Sequence, residues 1–297
     1  MDWSHEEAIV NGVRIHYVEA GEGPLVVLLH GFPEHWYSWR EQIPALVEAG
    51  YRVAVPDMRG YNRSEKPPGV SAYRIGHLVE DVRALIDHCG EERAHLVGHD
   101  WGGLVAWEVA ARHPDHVDRL AVLNAPHPGA YRRELRALDS DQRRRSWYVL
   151  LFQLPLLPEL LFRVDDQRLL EAMFREEATN PEAFDEEAIR RYKRACARPG
   201  AMRAMLNYYR AAFRGTVRAV IPGWGDPDAT TSDGLVGRPT LVLWGTEDAA
   251  LSKRLTEDLE EWVSDIEIER VEGASHWVQL DAPERVNDSL VGFFSRD

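Results

Sequence analysis

The sequence predicts an α/β protein: a mostly parallel central sheet flanked by helices, with a helical cap inserted into the core. Short apolar runs alternate with segments of helical periodicity from residue 24 to residue 126, and the alternation returns after residue 239. Strands that alternate with helices in this way pair in parallel. The stretch between these regions is helical in pattern and has no strong strand signal. We therefore expect core segments at 1–128 and 221–297 and a cap at 129–220.

The core elements follow one another in a regular order. A hairpin is expected over residues 8–19, because two alternating runs flank Asn11-Gly12, a pair typical of tight turns. The run PLVVLLH at 24–30 is typical of a strand buried on both faces. The other elements expected are helices at 36–50, 73–90, 102–114 and 283–295 and strands at 52–57, 94–99, 117–126, 239–245 and 266–273.

The charge of the chain limits its partners. The 297 residues carry a formal net charge of −14, which argues against binding to nucleic acid or to an anionic membrane. Basic residues nevertheless outnumber acidic ones over 131–218, so the cap differs in composition from the core. No nucleic-acid or membrane partner is expected.

The cysteines and the N-terminal residues favour a cytoplasmic protein. Cys89 and Cys196 have neither metal-binding nor redox spacing, and the absence of a disulfide framework suits a reducing compartment. The first residues lack the basic and apolar regions of a signal peptide. The most apolar stretch, 147–162, is interrupted by Gln153, two prolines and a glutamate. We interpret it as a buried lid segment rather than as an element that lies on a membrane surface.

A reactive site is indicated by residues 98–102, Gly-His-Asp-Trp-Gly, where a predicted strand meets a predicted helix. This is the frame of the nucleophile elbow, G-x-S-x-G, with aspartate in the place of serine. Asp100, Asp248 and His276 each follow a predicted strand end, where the reactive groups of a parallel sheet gather. Each alone has an ordinary structural explanation, such as a helix cap. Their order along the chain is that of the nucleophile, acid and histidine of α/β-hydrolases, and together they predict a catalytic set.

A second loop is expected beside this elbow. The strand at 24–30 leads into His30-Gly31-Phe32-Pro33. The backbone N–H groups of Phe32 and Trp101 are candidates for an oxyanion hole, which stabilises negative charge developing on oxygen. A plain turn is the alternative interpretation.

Over nearly its whole length the chain resembles the epoxide hydrolases of the α/β-hydrolase fold. The stretches that carry the resemblance are HGFPEHWYSWR (30–40), DMRGY (57–61), GHDWGG (98–103), LNAPHP (123–128), RSWYVLLFQLP (145–155), MLNYYR (205–210), GTED (245–248) and GASHW (273–277).

The resemblance implies roles for three further side chains. In that family two cap tyrosines hold the epoxide oxygen, and the matching positions are Tyr148 and Tyr209; adjacent Tyr208 is the alternative to the second, and lid packing is the alternative role. Glu34 would help to position a water, although a surface salt bridge explains it equally well. The Phe32-Pro33 bond is expected to be cis. The implied partners are a small epoxide and water, with no cofactor and no metal, and a homodimer is left open.

An aspartate nucleophile selects the chemistry. It is ionised at neutral pH, and it attacks esters poorly because an anhydride is less stable than an ester. Its attack on a saturated, polarised carbon gives an ester, so epoxides or alkyl halides are expected as substrates. In the implied scheme Asp100 opens the epoxide while the cap tyrosines donate to its oxygen. Water activated by His276 then hydrolyses the ester, and Asp248 orients the imidazole ring of His276.

Two alternatives remain at this stage. A haloalkane or haloacid dehalogenase shares the fold and the nucleophile. However, Phe32 stands where haloalkane dehalogenases commonly carry an amide side chain, and Trp101 stands where fluoroacetate-type enzymes carry arginine. An alkoxide also needs a proton, which a tyrosine can supply and a halide does not require. A non-catalytic receptor of this fold is the second alternative, and the presence of every member of the catalytic set argues against it.

Overall fold

The computed structural model describes residues 3–219 and 234–296, and its centre is one eight-stranded sheet. The strands are β1 (Ser4–Val10), β2 (Val13–Ala20), β3 (Leu25–Leu29), β4 (Arg52–Pro56), β5 (Ala94–His99), β6 (Val117–Leu123), β7 (Thr240–Gly245) and β8 (Ile266–Val271). Their order across the sheet is β1-β2-β4-β3-β5-β6-β7-β8. The first two strands pair antiparallel, β2 also pairs antiparallel with β4, and all other pairs are parallel. The predicted fold class is confirmed.

The sheet is covered on both faces, as its apolar strands require. Alternate residues of β3 belong to different apolar clusters: Val27 and Leu29 pack on one face, and Val26 and Leu28 on the other. Fully burying such a side chain stabilises the fold by about 1.5–3 kcal/mol. At the N-terminal hairpin the turn residues Asn11 and Gly12 have φ of 48° and 73°, the positive values that this tight turn needs.

Twelve α-helices are described. The core helices are α1 (Gln42–Glu48), α2 (Ile75–His88), α3 (Trp101–Arg112), α11 (Val278–Asp281) and α12 (Pro283–Phe294). Those that follow β6 and precede β7 are α4 (Pro128–Arg136), α5 (Gln142–Arg145), α6 (Trp147–Leu151), α7 (Leu157–Leu161), α8 (Arg168–Glu177), α9 (Glu186–Cys196) and α10 (Ala201–Ala219). α2 and α3 pack together on one face of the sheet, and α1 and α12 pack together on the other.

The part of the chain expected to form the cap lies between β6 and β7. Between β6 and β7 the described residues form helices and turns, apart from an isolated bridge at Val236. The division into core and cap at 129–220 stays a prediction, and its second boundary falls outside the described residues. No helix in the described part of the chain is long and apolar enough to cross a membrane.

The predicted helix at 36–50 is interrupted. A short 3₁₀ helix covers Trp36–Trp39, and α1 begins only at Gln42. Pro44 explains the break, because it has no N–H to donate to the carbonyl of Arg40, and a helix tolerates proline only in its first turn. The helix therefore starts again with Pro44 in that turn.

The interpretation of 147–162 as a buried segment is wrong for most of its apolar side chains. Trp147 is 63% exposed and Leu156 is 66% exposed, whereas Phe152 and Phe162 are buried. α6 and α7 have five residues each, and only one side of such a short helix can face the core. A run that is apolar at almost every position does not reveal which side that is.

Candidate active site

Asp100 is the single residue that connects β5 to α3, and the turn there requires a strained backbone. Its φ is 50° and its ψ is −119°, a region that residues with side chains rarely adopt. The flanking glycines allow the turn to be this tight. A Cβ atom at Gly102 would lie 2.2 Å from the carbonyl oxygen of Leu29, and one at Gly98 would lie 2.4 Å from that of Gly102. The elbow predicted from the sequence is present.

The loop after β3 approaches the Asp100 carboxylate closely. The backbone N–H of Phe32 donates to Oδ1 of Asp100 at 2.7 Å, and a Cβ atom at Gly31 would lie 2.5 Å from the Asp100 Cβ. Trp101 is the first residue of α3, so its N–H has no acceptor within the helix. Both proposed oxyanion donors are therefore neighbours of the Asp100 side chain. The Phe32-Pro33 bond is cis, as expected.

His276 lies between two carboxylates. Its Nδ1 donates to Oδ2 of Asp248 at 2.8 Å, and its Nε2 lies 3.6 Å from Oδ2 of Asp100. The Asp248 carboxylate is buried and accepts from the backbone N–H groups of Ala250 and Leu251, both at 2.8 Å. The histidine can thus touch both the nucleophile and the acid predicted from the sequence.

Asn124 completes the surroundings of the acid. Its Nδ2 donates to Oδ2 of Asp248 at 2.7 Å, and its Oδ1 accepts from the N–H of Gly245 at 2.9 Å. The sequence indicates no role for this asparagine. Asn124 directly follows β6, the strand beside β5, and this position was the available signal for a role in the site.

The three catalytic candidates shift one another's pKa values. Burial would raise the pKa of Asp100, but hydrogen bonding and charge from His276 hold it below its usual value. Burial would likewise raise the pKa of Asp248, and His276 and Asn124 lower it. Burial would lower the pKa of His276, yet the charges of Asp248 and Asp100 raise it well above its usual value. The two carboxylates therefore favour the protonated form of His276 in the resting site.

Two tyrosines of the insertion lie together over this set. Tyr148 belongs to α6 and Tyr209 to α10, and their ring centroids are 6.0 Å apart. The Tyr209 ring also packs on Trp101, at 5.1 Å, and on Phe32, at 5.3 Å. Burial, and to a smaller extent the charge of Asp100, raise the pKa of both phenols well above the usual value. Both therefore stay protonated and can donate a hydrogen bond.

The choice between Tyr208 and Tyr209 follows from their hydrogen bonds. The Tyr208 hydroxyl is buried and donates to the carbonyl oxygen of Arg59 at 2.7 Å, so its proton is already committed. Tyr209 instead packs its ring against Trp101 and Phe32, the two residues that flank the Asp100 carboxylate. The geometry supports the assignment of Tyr209.

Glu34 is not on the surface. Its carboxylate is fully buried, and Oε2 accepts from the N–H of Gly31 at 3.1 Å. The same oxygen lies 2.8 Å from Nδ1 of His99, whose Nε2 donates to the carbonyl oxygen of His276 at 2.9 Å. The interpretation of Glu34 as a surface salt bridge is therefore wrong. The sequence does not indicate His99, although its place on a fully buried strand directly before Asp100 was available as a signal.

Comparison with known proteins agrees with this geometry. Residues 24–283 match the alpha/beta hydrolase fold family, and the chain belongs to it. It is 38% identical to epoxide hydrolase 2 of Caenorhabditis elegans, over 100% of this chain and 81% of that protein. It is 40% identical to the AB hydrolase superfamily protein YfhM of Bacillus subtilis (strain 168), over 95% of each chain. Within the fold family it groups with the epoxide hydrolases.

Solved structures give the same result. The crystal structure of the Bacillus megaterium epoxide hydrolase in complex with an inhibitor is 30% identical, with a TM-score of 0.88 over 98% of this chain and 100% of that one. Epoxide hydrolase VrEH1 from Vigna radiata is 29% identical, with a TM-score of 0.83 over 98% of this chain and 97% of that one. The similarity thus extends over the insertion as well as the core.

Proposed function

We propose that the protein converts small epoxides into vicinal diols through an ester formed on Asp100. The observation that supports the proposal is that Asp100 has a lowered pKa, which keeps it a carboxylate, and that two tyrosines with raised pKa values lie close enough to respond to its charge. One oxygen of that carboxylate is held by the N–H of Phe32, and the other is left for attack on carbon. A carboxylate and two phenols are what the opening of an epoxide needs: a nucleophile at carbon and a hydrogen-bond donor at oxygen.

In the first step Oδ2 of Asp100 attacks an epoxide carbon and the carbon–oxygen bond breaks. Tyr148 and Tyr209 donate hydrogen bonds to the oxygen as it becomes an alkoxide. A donor placed at developing charge contributes about 3 kcal/mol to lowering the barrier in a site shielded from water. Asp100 becomes a neutral ester. The former epoxide oxygen takes a proton from one of the two tyrosines to become an alcohol, and the proton that His276 later releases restores the tyrosine.

Formation of the ester prepares His276 for the second step. An imidazolium cannot accept a proton, so the resting state of His276 cannot activate water. When Asp100 becomes an ester, one of the two negative charges that raise the pKa of His276 disappears. The pKa of His276 falls and the ring can release its proton. The charge change at Asp100 thus makes His276 a base only when there is an ester to hydrolyse.

In the second step water, deprotonated by His276, attacks the ester carbonyl carbon of Asp100. Negative charge develops on Oδ1, to which the N–H of Phe32 already donates, and the N–H of Trp101 is the proposed second donor. Asp248 holds the ring of His276 through Nδ1 and stabilises its cation. The bond between the Asp100 carbonyl carbon and the substrate oxygen breaks, and that oxygen takes the proton of the new carboxyl group. The diol then leaves, Asp100 is again a carboxylate, and His276 keeps the proton it took from water.

Glu34 supports this step from behind the oxyanion loop. We propose that it helps to position the attacking water, because the same carboxylate is linked through His99 to the backbone of His276. A small epoxide and water as partners, a homodimer as an open alternative, and a cytoplasmic location belong to this proposal as well. The acidic net charge of −14 supports the expectation that nucleic acid is not bound.

A direct assay tests the proposal against dehalogenation. The protein is incubated with styrene oxide and, separately, with a 1-haloalkane, and diol and halide are measured, with Asp100→Ala as the control. We expect diol from the wild type, none above background from the variant, and no halide. Halide release without diol would instead identify a dehalogenase.

A further inference from the structure

A buried glutamine joins the insertion to the loop that carries the catalytic acid. This loop, residues 246–252, follows β7 and is called here the acid loop. Gln142 of α5 is fully buried. Its Nε2 donates to the carbonyl oxygen of Ala250 at 3.1 Å, and its Oε1 accepts from the N–H of Ser252 at 2.8 Å. One side chain therefore binds the acid loop through both a donor and an acceptor.

A second side chain of the same short helix binds the acid loop at Asp248 itself. Nη1 of Arg145 donates to the carbonyl oxygen of Asp248 at 2.8 Å and to that of Ala249 at 3.0 Å. Its Nε donates to Asp141 at 2.7 Å, which fixes the guanidinium. Hydrogen bonds from a charged donor are about twice as strong as neutral ones. The backbone of the acid is thus held by α5.

The other end of this connection is the helix of Tyr148. Nε2 of Gln142 also donates to Oγ of Ser146 at 3.0 Å. Ser146 links α5 to α6: its carbonyl oxygen accepts from the N–H of Val149 at 3.1 Å, and its hydroxyl lies 2.9 Å from that of Tyr131. Tyr148 is only two residues further on. The same amide that binds the acid loop therefore also fixes the start of the Tyr148 helix.

We propose that Gln142 and Arg145 are positioning residues, which hold the acid loop and the Tyr148 helix in one fixed relation. Ring opening at Tyr148 and ester hydrolysis at His276 then depend on the same connection. The inference rests on the proposed function of those residues. A displacement of about 1 Å at a reacting group reduces a rate on the order of 100-fold, so loss of this connection affects both steps.

The test compares variants of α5 with matched controls. Gln142→Met keeps the size of the side chain and removes its three hydrogen bonds. Arg145→Met removes the charge, and Arg145→Lys retains a donor. The controls are Gln167→Met, whose Nε2 donates to the carbonyl of Lys193 elsewhere in the insertion, and Arg143→Met, whose guanidinium donates to the carbonyls of Ala137 and Leu138.

Both chemical steps are measured in single turnovers with styrene oxide, by intact-protein mass after rapid quenching. We expect Gln142→Met to slow ester formation and ester hydrolysis by at least about tenfold each. Arg145→Met should slow hydrolysis more than ester formation, so that the ester accumulates, and Arg145→Lys should restore part of the rate. The two controls should stay within about twofold of the wild type.

A double mutant separates positioning from general destabilisation. If Gln142 acts on the first step through the Tyr148 hydroxyl, Gln142→Met should no longer slow ester formation in a Tyr148→Phe background. The inference would be overturned if folded Gln142→Met and Arg145→Met both react at wild-type rates. It would also be overturned if Gln142→Met slows ester formation as much in the Tyr148→Phe background as in the wild type. If Gln142→Met does not fold, the rates of ester hydrolysis in the Arg145 variants provide the test. The inference predicts that the rate falls from the wild type through Arg145→Lys to Arg145→Met, and equal rates would overturn it. If the wild type itself forms no ester, the proposed function fails instead.

Discussion

The N–H of Phe32 donates to Oδ1 of Asp100 at 2.7 Å, and this makes the two oxygens of one carboxylate unequal. The other oxygen, Oδ2, lies 3.6 Å from Nε2 of His276. In the proposed scheme Oδ2 forms the bond to carbon and Oδ1 becomes the carbonyl oxygen of the ester. The negative charge of the second step then develops where a donor is already in place. The geometry therefore suits a reaction in two separate steps, which the first three predictions test.

Removal of the base should stop the reaction halfway. In His276→Ala, Asp100 can still attack an epoxide, but no group remains to activate water for the ester. We expect the intact-protein mass to rise by the mass of one epoxide and to stay there. A variant that forms no ester with a substrate of the wild type would contradict the choice of His276 as the base.

Removal of both phenol protons should block the first step instead. Each donor contributes about 3 kcal/mol, so the double replacement of Tyr148 and Tyr209 by Phe should slow ester formation by several orders of magnitude and leave the protein mass unchanged. Tyr208→Phe is the matched control, since that hydroxyl is bound to the carbonyl of Arg59. The control should form the ester at nearly the wild-type rate, and an equal loss in both variants would refute the assignment.

The two steps should respond to pH differently. The pKa of His276 is raised in the resting protein by the charges of Asp248 and Asp100, and ester formation removes the second charge. Hydrolysis needs neutral His276, so its rate should rise with pH through the lower pKa of the esterified form and then level off. We expect this midpoint to lie clearly below the pKa of His276 measured by NMR in the resting protein. Equal values would contradict the proposed change at His276.

The strained backbone at Asp100 should lower the stability of the folded protein. The backbone of Asp100, with φ of 50°, is strained for any residue with a Cβ atom by about 1–3 kcal/mol. Asp100→Gly and Asp100→Ala both remove the carboxylate, but only glycine relieves the strain. We therefore expect the glycine variant to be the more stable by about 1 kcal/mol in urea unfolding, after allowance for its more flexible unfolded chain. An alanine variant of equal or greater stability would indicate that the turn is not strained.

The sequence was sufficient for the elements whose signal is local. The elbow at Asp100 was predictable because glycines flank it at a strand-to-helix junction, and the acid and histidine because they follow strand ends. The interruption of the helix before Pro44 could also have been predicted, because proline lacks the N–H that a continuous helix needs, although the periodicity of 36–50 favours one helix. Contacts between distant segments were not predictable in this way. The link from Glu34 through His99 to His276 joins three parts of the chain, and no pattern within one segment indicates it.

The insertion was predictable only in outline. Its helical periodicity indicates helices, but the stretch at 147–162 is apolar at most positions, so the orientation of α6 and α7 depends on what they pack against. Tyr148 and Trp147 are neighbours in the sequence, yet the Tyr148 ring packs against Tyr209, whereas Trp147 is 63% exposed. The connection of Gln142 to the acid loop likewise depends on packing between the insertion and the core.

The origin of the new diol oxygen tests the central claim most directly. A single turnover is run in ¹⁸O-water with enzyme in excess over styrene oxide, and both the diol and the peptide that contains Asp100 are analysed by mass spectrometry. Because water attacks the ester carbonyl, the diol should receive its new oxygen from Asp100 and emerge largely unlabelled, with ¹⁸O in the peptide. A fully labelled diol and an unlabelled peptide would mean that water attacks the epoxide directly, and would contradict Asp100 as the nucleophile.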